Sequence, residues 1–315
     1  MGVLPYTMFD LTRSASDARR FDRMENIYHR GQSLAWNGRD VLAEAVKRHG
    51  GVHVPPSKHD ALRAVYGPIM WGELAAWKIS AQLADRLEPL EAKMAATSQA
   101  HDEARHFYVM HDYLELATGS VPRGMPRNSE RLLDAVLSTD DTACKLMGMQ
   151  LQVETTALTI FQHTREANFC PVLSEILPYF EKDEARHVGL GTQCLPVMMR
   201  RMGRLEGARL TAFALRVTFW LIAANHAMQA PLRELGLDPR RVLQLAKSKQ
   251  MIVWNEIWKS APKSKPDVGD MISKVMEATA SAFWPPEEDA TVTDRSRAFL
   301  RALRDGVDMV ETTID

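Results

Sequence analysis

Hydrophobic residues recur along this chain with the period of an α-helix. Through most of the sequence apolar positions return every three or four residues, and short alternating runs rich in Val, Ile and Thr are scarce. The pattern therefore predicts an all-α protein. Helices are predicted over about 19–50 (one or two helices), 58–88, 89–117, 130–167, 171–200 and 205–235, with shorter helices after that.

Segments that contain proline and glycine separate these helices. The stretches "GGVHVPPSK" at 50–58 and "TGSVPRGMPRNS" at 118–129 are predicted loops. Pro89 and Pro171 stand where new helices can begin, because proline is favoured in the first helical turn. Pro178 predicts a kink inside the helix that contains it.

We interpret the chain as a single helical domain of 315 residues. Its core is predicted at about 58–200 as two helical hairpins, with N-terminal helices at about 19–50 and C-terminal helices at about 205–311. Within the C-terminal part, "SAPKSKPDVGD" at 260–270 and "WPPEED" at 284–289 are predicted loops.

Composition narrows the class of protein. With 45% hydrophobic residues, 25% charged residues and a net charge of −1, the chain resembles a soluble globular protein and offers no electrostatic case for a nucleic-acid partner. Cys144, Cys170 and Cys194 are widely spaced and form no disulfide or zinc pattern. A reducing, cytoplasmic location is therefore expected.

No membrane segment is expected either. The most apolar run, 210–228, is interrupted by Arg216, Asn225 and His226, which favours a buried helix over a membrane span. The N-terminal stretch 1–20 lacks the apolar core and the cleavage site of a signal peptide.

The pentapeptide Asp-Glu-Ala-Arg-His occurs twice, at 102–106 and at 183–187, inside apolar helical segments. Residues three apart share a helix face, so Glu103 points with His106 and Glu184 points with His187. A carboxylate beside an imidazole is half of a transition-metal site. A single such pair usually marks a solvated helix face, but the repetition favours two metal ions.

Each motif is matched by a glutamate on the preceding helix. Glu73 lies 30 residues before Glu103, and Glu154 lies 30 residues before Glu184. From Glu73 to the break at Pro89 a helix rises roughly 24 Å, and the return to Glu103 covers roughly 21 Å. The second hairpin has similar arms, so each glutamate is predicted to meet its motif at one level of the bundle. Both glutamates have apolar neighbours, where an unpaired carboxylate is costly.

Charged residues beside the motifs suggest supporting interactions. Asp102 and Asp183 precede the motif glutamates, and each could accept the free imidazole N–H of the opposite hairpin's histidine. Arg105 and Arg186 could neutralise these aspartates. Surface salt bridges are the alternative interpretation of all four residues.

The complete pattern resembles the ferritin-like di-iron carboxylate superfamily. The Asp-Glu-x-Arg-His form is most similar to its oxygenase and oxidase branch, which includes hydroxylase subunits of bacterial multicomponent monooxygenases and proteins like the ribonucleotide reductase small subunit. The resemblance covers about 60–200 and implies a four-helix bundle with additional terminal helices. It also implies O₂ activation by two Fe ions, with Mn/Fe as the other option. By position, the metal-binding and catalytic residues would be Glu73, Glu103 and His106 for one ion and Glu154, Glu184 and His187 for the other.

What the resemblance implies about function is a cytoplasmic monooxygenase-type oxidoreductase. It would hydroxylate, desaturate or N-oxygenate a small, largely apolar substrate, with an electron donor such as a ferredoxin or reductase; a homodimer is one option. An iron-handling ferroxidase and a radical-generating subunit remain alternatives. The radical subunit usually carries a tyrosine one turn after the first motif histidine, and Met110 stands there.

Residues one helical turn from a ligand are expected to face the bundle interior. On this basis a substrate pocket is predicted around eight residues. They are Met70, Trp77, Gln99, Met110, Gln150, Leu158, Phe180 and Gly191. Simple core packing is the alternative for each of them. The glycine is expected to leave space near the metal ions, and the two buried amides need hydrogen-bond partners.

Overall fold

The computed structural model describes residues 23–260, 268–284 and 290–305, and every regular element in these ranges is helical. The all-α prediction is therefore confirmed. In chain order the α-helices are α1 (23–33), α2 (Gly38–Arg48), α3 (His59–Arg86), α4 (Leu90–Thr118), α5 (Arg127–Leu137), α6 (Thr142–Lys145), α7 (Glu154–Ala167), α8 (Pro171–Arg201), α9 (Arg204–Ala227), α10 (Gln229–Glu234), α11 (Pro239–Ser260), α12 (Val268–Phe283) and α13 (Val292–Asp305). A short 3₁₀-helix (Pro56–Lys58) precedes α3, and a π-helix (Leu146–Val153) joins α6 to α7.

Some predictions fall outside the described residues. These are the N-terminal stretch 1–20, the helix start near residue 19, most of the loops at 260–270 and 284–289, and the end of the C-terminal helices at 311.

Helices α3 and α4 form the first predicted hairpin. α3 ends where Leu87 turns to extended backbone (ψ 138°), and Pro89, also extended, begins α4. The two helices then pack along their lengths. α4 ends at Gly119, which is left-handed (φ 72°), a conformation that costs other residues steric strain.

The second hairpin differs from its prediction at the first arm. The helix predicted over 130–167 is in fact α5 followed, after a break, by a continuous run of α6, the π-helix and α7. The break comes at Asp141, whose carboxylate accepts hydrogen bonds from the backbone N–H groups of Ala143 and Cys144 and so begins a new helix. The apolar period continues across this cap and hides it.

α8 forms the returning arm of the second hairpin. It begins at Pro171, as predicted, and continues as one helix through Pro178 and Pro196; the kink at Pro178 stays a prediction. α7 closes with Asn168 in the left-handed conformation (φ 45°), which turns the chain toward α8.

The long apolar helix α9 packs against α5, the π-helix and α12. Its length and composition would also allow it to cross a membrane. Leu210, Phe213, Val217 and Ile222 are buried in the core, as expected for the predicted buried helix. The predicted helix at 205–235 is divided at Met228 into α9 and α10.

Two apolar cores fill the bundle of α3, α4, α7 and α8. One lies at the end that contains Ile79, Ala95 and Leu195, and the other at the end that contains Leu62, Tyr113 and Phe180. The six candidate metal ligands lie between these two cores along the four helices. They are Glu73, Glu103, His106, Glu154, Glu184 and His187. The hydrophobic burial of both cores thus holds a polar layer away from water.

Candidate metal centre

Four helices bring six ionisable side chains together in this layer. The six are Glu73 of α3, Glu103 and His106 of α4, Glu154 of α7, and Glu184 and His187 of α8. Each is at most 4% exposed. The hairpin geometry inferred from residue spacing therefore describes where these side chains lie.

The six residues form two overlapping clusters. One comprises Glu73, Glu103, His106 and Glu184, and the other Glu103, Glu154, Glu184 and His187; the donor atoms of each cluster lie within 4.8 Å of one another. Glu103 and Glu184 belong to both. They are therefore the two carboxylates whose positions allow contact with both groups of donor atoms.

The imidazoles face the carboxylates through Nδ1. His106 Nδ1 lies 3.2 Å from Glu184 Oε1 and 3.5 Å from Glu73 Oε2. His187 Nδ1 lies 3.0 Å from Glu103 Oε1 and 3.1 Å from Glu184 Oε2. Metal–ligand bonds of about 2.0–2.2 Å place neighbouring ligand atoms at such separations.

The donor set fits two divalent transition-metal ions. His106 Nδ1 lies 3.2 Å from Glu184 Oε1 and 3.5 Å from Glu103 Oε2, yet none of these three buried atoms forms a hydrogen bond within the described residues. Unpartnered atoms of this kind are costly unless a ligand or ion satisfies them. With two nearby aspartates and two arginines, the layer carries four formal negative charges when the histidines are neutral. Two divalent cations would cancel that charge.

Without metal, the carboxylates divide into two types. Burial raises the pKa of Glu73 and Glu154 well above the ordinary value, and neighbouring carboxylates add to the shift. Burial also acts on Glu103 and Glu184, but the adjacent histidines outweigh it and lower the pKa of both groups. The shared glutamates are thus ionised, while the other two favour the protonated form.

The histidines favour the charged form in the metal-free layer. Burial alone would lower the pKa of both imidazoles, but the surrounding carboxylates raise it well above the usual value. For His106 the leading favourable partner is Asp183, and for His187 it is Glu103. A metal ion would have to displace these protons.

The aspartates contact the histidines of the opposite hairpin, where the sequence placed them. Asp183 Oδ2 lies 3.0 Å from His106 Nε2, and Asp102 Oδ2 lies 3.4 Å from His187 Nε2. Since Nδ1 faces the metal cluster, Nε2–H donates to the aspartate, which fixes the tautomer and orients the ring.

Arg105 and Arg186 contact both aspartates. Arg105 Nη2 donates to Asp102 Oδ1 at 2.5 Å and to Asp183 Oδ2 at 2.8 Å. Arg186 Nη2 lies 2.8 Å from Asp102 Oδ2 and 2.7 Å from Asp183 Oδ1. Burial opposes ionisation of the aspartates, yet the histidines outweigh it: His187 lowers the pKa of Asp102, and His106, together with Arg186, lowers the pKa of Asp183. The alternative of surface salt bridges is wrong, because all four side chains are buried.

Trp36 completes this arrangement, although residue spacing did not place it at the site. Its indole N–H donates to Asp183 Oδ2 at 2.8 Å, and the guanidinium of Arg105 lies 4.6 Å from its ring centroid. It precedes α2 and is 147 positions from Asp183. Helical periodicity carries no signal for a contact over that distance.

The two amides of the predicted substrate pocket, Gln99 and Gln150, lie beside the candidate metal ligands. Gln99 Nε2 donates to Glu103 Oε1 at 3.0 Å and to Glu154 Oε1 at 3.2 Å. Gln150 Nε2 approaches Gln99 Oε1 at 3.5 Å. Gln99 therefore orients two carboxylates and Gln150 supports Gln99, although Gln150 Oε1 makes no hydrogen bond within the described residues.

A cavity of about 90 Å³ lies beside the layer. It is mostly apolar, and both Glu73 and Glu154 line it. The other lining residues are Pro68, Ile69, Gly72, Ala76, Ser129, Leu132, Leu133, Met149, Val153, Thr156, Ala157, Ile160, Leu221, Ala224, Asn225, Met228, Leu232 and Val242.

The eight residues predicted to form the substrate pocket do not line this cavity. On α3 it is bounded by Ile69, Gly72 and Ala76, a face rotated from the one that carries Met70 and Trp77. Trp77 is 44% exposed. Lying one helical turn from a ligand predicts that a residue faces the bundle interior. It does not predict whether that residue packs against other side chains or lines the cavity.

The remaining pocket predictions are corrected by packing. Met70, Met110 and Phe180 belong to an apolar core, and the Phe180 ring stacks on His106 at 4.4 Å between centroids. Leu158 is only partly buried. Gly191 does not leave space near the metal ions, because a Cβ there would lie 2.8 Å from Gln150 Cβ; its absence lets α8 approach the π-helix.

Solved structures of oxidases have a similar fold. A protein from Synechococcus with aldehyde deformylating oxidase activity matches with a TM-score of 0.52 and 16% identity, over 78% of this chain and 97% of that one. Two variants of an R2-like ligand-binding oxidase with a reconstituted Mn/Fe cofactor match with TM-scores of 0.58 and 0.57 at 16% and 19% identity, each over 82% of this chain and 99% of that one. No protein-family model and no curated protein sequence matches the chain. The predicted ferritin-like bundle is confirmed as the fold.

Proposed function

We propose that this protein is an O₂-dependent non-haem oxidase with two metal ions, Fe/Fe or Mn/Fe, that acts on a small, largely apolar organic substrate. One observation carries the proposal: Glu73 and Glu154, which complete the two ligand clusters, also form part of the wall of the apolar cavity. An organic molecule in that cavity would lie directly against the metal-binding carboxylates.

The side chains of this layer would have different roles. Glu103 and Glu184 would bridge the two ions, because each belongs to both clusters. Asp183 and Asp102 hold the histidine rings in place through Nε2. When bound, the metal pair supplies the activation of O₂, which amino-acid side chains alone do not provide. The surrounding apolar cores exclude water from the reacting groups.

We propose monooxygenase-type chemistry: hydroxylation, desaturation or N-oxygenation. Hydroxylation of an organic substrate by O₂ inserts one oxygen atom and reduces the other to water, which needs two electrons and two protons. An external electron donor, such as a ferredoxin or reductase, is therefore part of the proposal. The three buried free thiols are compatible with a reducing, cytoplasmic compartment.

Metal loading and O₂ consumption test the proposal. Protein reconstituted without oxygen should bind two transition-metal ions per chain, and Glu154→Gln should reduce this to one or none. The matched control is Glu115→Gln. Glu115 lies with His111 and Asp112 in a separate, partly exposed group, so this variant should retain both ions of the buried layer. Failure of the wild-type protein to retain transition metal would refute the proposal.

Addition of O₂ then separates the alternatives. An oxidase should consume O₂ in proportion to organic product when reductant and substrate are present. Accumulation of ferric iron without any organic product would favour the ferroxidase, and a stable tyrosyl radical signal would favour the radical subunit. Ala157→Phe narrows the cavity beside Glu154 and should impair product formation without loss of metal.

A further inference from the structure

The apolar cavity has two polar atoms without partners on one side. Ser129 is 5% exposed and Asn225 is 7% exposed, and both residues line the cavity. Ser129 Oγ and Asn225 Oδ1 make no hydrogen bond within the described residues. A buried polar atom left unsatisfied is unfavourable, so two such atoms on one cavity wall point to a ligand that satisfies them.

The two side chains belong to adjoining helix ends. Ser129 is in the first turn of α5, and Asn225 is in the last turn of α9. Asn128 Nδ2 donates to the backbone oxygen of Ala223 at 3.1 Å, which joins these ends directly. The polar pair thus lies on the α5–α9 wall, whereas Glu73 and Glu154 line the cavity from α3 and α7.

The charge of the wall limits what it can bind. Among the lining residues there is no lysine, arginine or histidine, and the charged groups are the two ligand glutamates. An anionic group held at the α5–α9 wall would be buried without a counterion. The hydroxyl of Ser129 and the amide of Asn225 can both donate and accept hydrogen bonds, which suits an uncharged polar group.

We propose that Ser129 and Asn225 bind an uncharged hydrogen-bonding group of the substrate, such as an amide or hydroxyl, and thereby direct its apolar part toward Glu73 and Glu154. The substrate class is therefore a neutral amphipathic molecule, neither a pure hydrocarbon nor an acid recognised at this wall. This inference rests on the proposed function only in calling the bound molecule a substrate. Binding at this site can be tested without turnover.

Binding of a matched probe series tests the inference. Toluene, benzamide and benzoate share a ring and differ in the attached group. Their affinities for the metal-loaded protein can be measured under anaerobic conditions by calorimetry or by ligand-observed NMR. Ser129→Ala and Asn225→Leu should each weaken benzamide binding about 5- to 10-fold, the usual effect of one hydrogen bond, and leave toluene binding unchanged.

A control and a stability measurement accompany the binding assay. Asn128→Ala removes a neighbouring asparagine that does not line the cavity. It should leave the ratio of benzamide to toluene affinity unchanged, even if its lost bond to α9 lowers the melting temperature. Ser129→Ala should unfold at the same or a higher temperature than the wild type, since it removes an unsatisfied buried atom.

Two results would overturn the inference. Equal losses of toluene and benzamide affinity in the variants would mean that the pair serves packing alone. An equal loss of benzoate affinity would mean that the wall accepts anions, because a carboxylate bound only at the metal ions would not depend on Ser129 or Asn225. Absence of metal or O₂ consumption would refute the proposed oxidase, while selective benzamide binding to the purified protein would still support the polar wall.

Discussion

Metal binding should release about four protons per chain at neutral pH. In the metal-free protein burial raises the pKa of Glu73 and Glu154, so these acids favour the protonated form. Carboxylate neighbours outweigh burial at His106 and His187 and raise their pKa, so these imidazoles favour the cationic form. Metal ions require the deprotonated form of every ligand, and two divalent ions replace the charge of four protons.

The sign of the pH dependence follows from these shifts. Because the ligands hold protons that the ions must displace, apparent metal affinity should rise with pH. If each ion displaces two protons, its association constant should increase about 100-fold per pH unit near neutrality. Asp102 and Asp183 contribute nothing to the release, since histidine contacts overcome the effect of burial and keep the pKa of both low.

Calorimetry in buffers with different ionisation enthalpies measures the number of protons directly. Glu154→Gln should bind at most one ion, so it should release about two protons per chain or fewer. Glu115→Gln, outside both clusters, should release the same number as the wild type. A release near zero, or an affinity independent of pH between 6 and 8, would contradict this charge balance.

Three further perturbations test the site and its supports. Asp183→Asn should weaken metal binding about 10- to 100-fold, and more than Asp102→Asn, because its histidine contact is shorter (3.0 against 3.4 Å); competition with a chelating dye measures both, and equal losses would contradict the ranking. Burial raises the pKa of the Cys194 thiol to about 12, so a thiol-labelling reagent at pH 8 should modify Cys194 in denatured protein but not in native protein. Rapid labelling of Cys194 in native protein, detected by mass spectrometry, would refute this. Gly191→Ala should destabilise the protein by about 1–3 kcal/mol through its clash with the π-helix, whereas Gly207→Ala, with open space around it, should be neutral or stabilising in denaturant unfolding.

The positions of the six candidate ligands followed from sequence because helices are regular. A spacing of three residues puts Glu103 beside His106, and similar arm lengths around Pro89 return Glu103 to the level of Glu73. Both statements need only the helical rise and a break in the chain. The contacts of Asp102 and Asp183 across the bundle were accessible for the same reason.

The position of the cavity could not be predicted from the sequence in this way. Periodicity separates the interior of a helix from its surface, but Met70 and Ile69 are both partly or fully interior, and only Ile69 lines the cavity. Ser129 lies in the amphipathic helix α5 and Asn225 in the apolar helix α9, and their lack of hydrogen-bond partners is visible only once these helices are packed together. Nor does the apolar pattern reveal that Asp141 divides the long helix, because a cap depends on local backbone geometry.

By itself, the sequence determined the helical class, the two hairpins and the level at which carboxylates and imidazoles meet, since each depends on local geometry repeated along a helix. The tertiary structure decided which glutamates are shared, that Trp36 reaches Asp183, and where the empty space lies. Those features depend on contacts between residues distant in the chain, and the free energy that selects among them comes from packing the whole bundle.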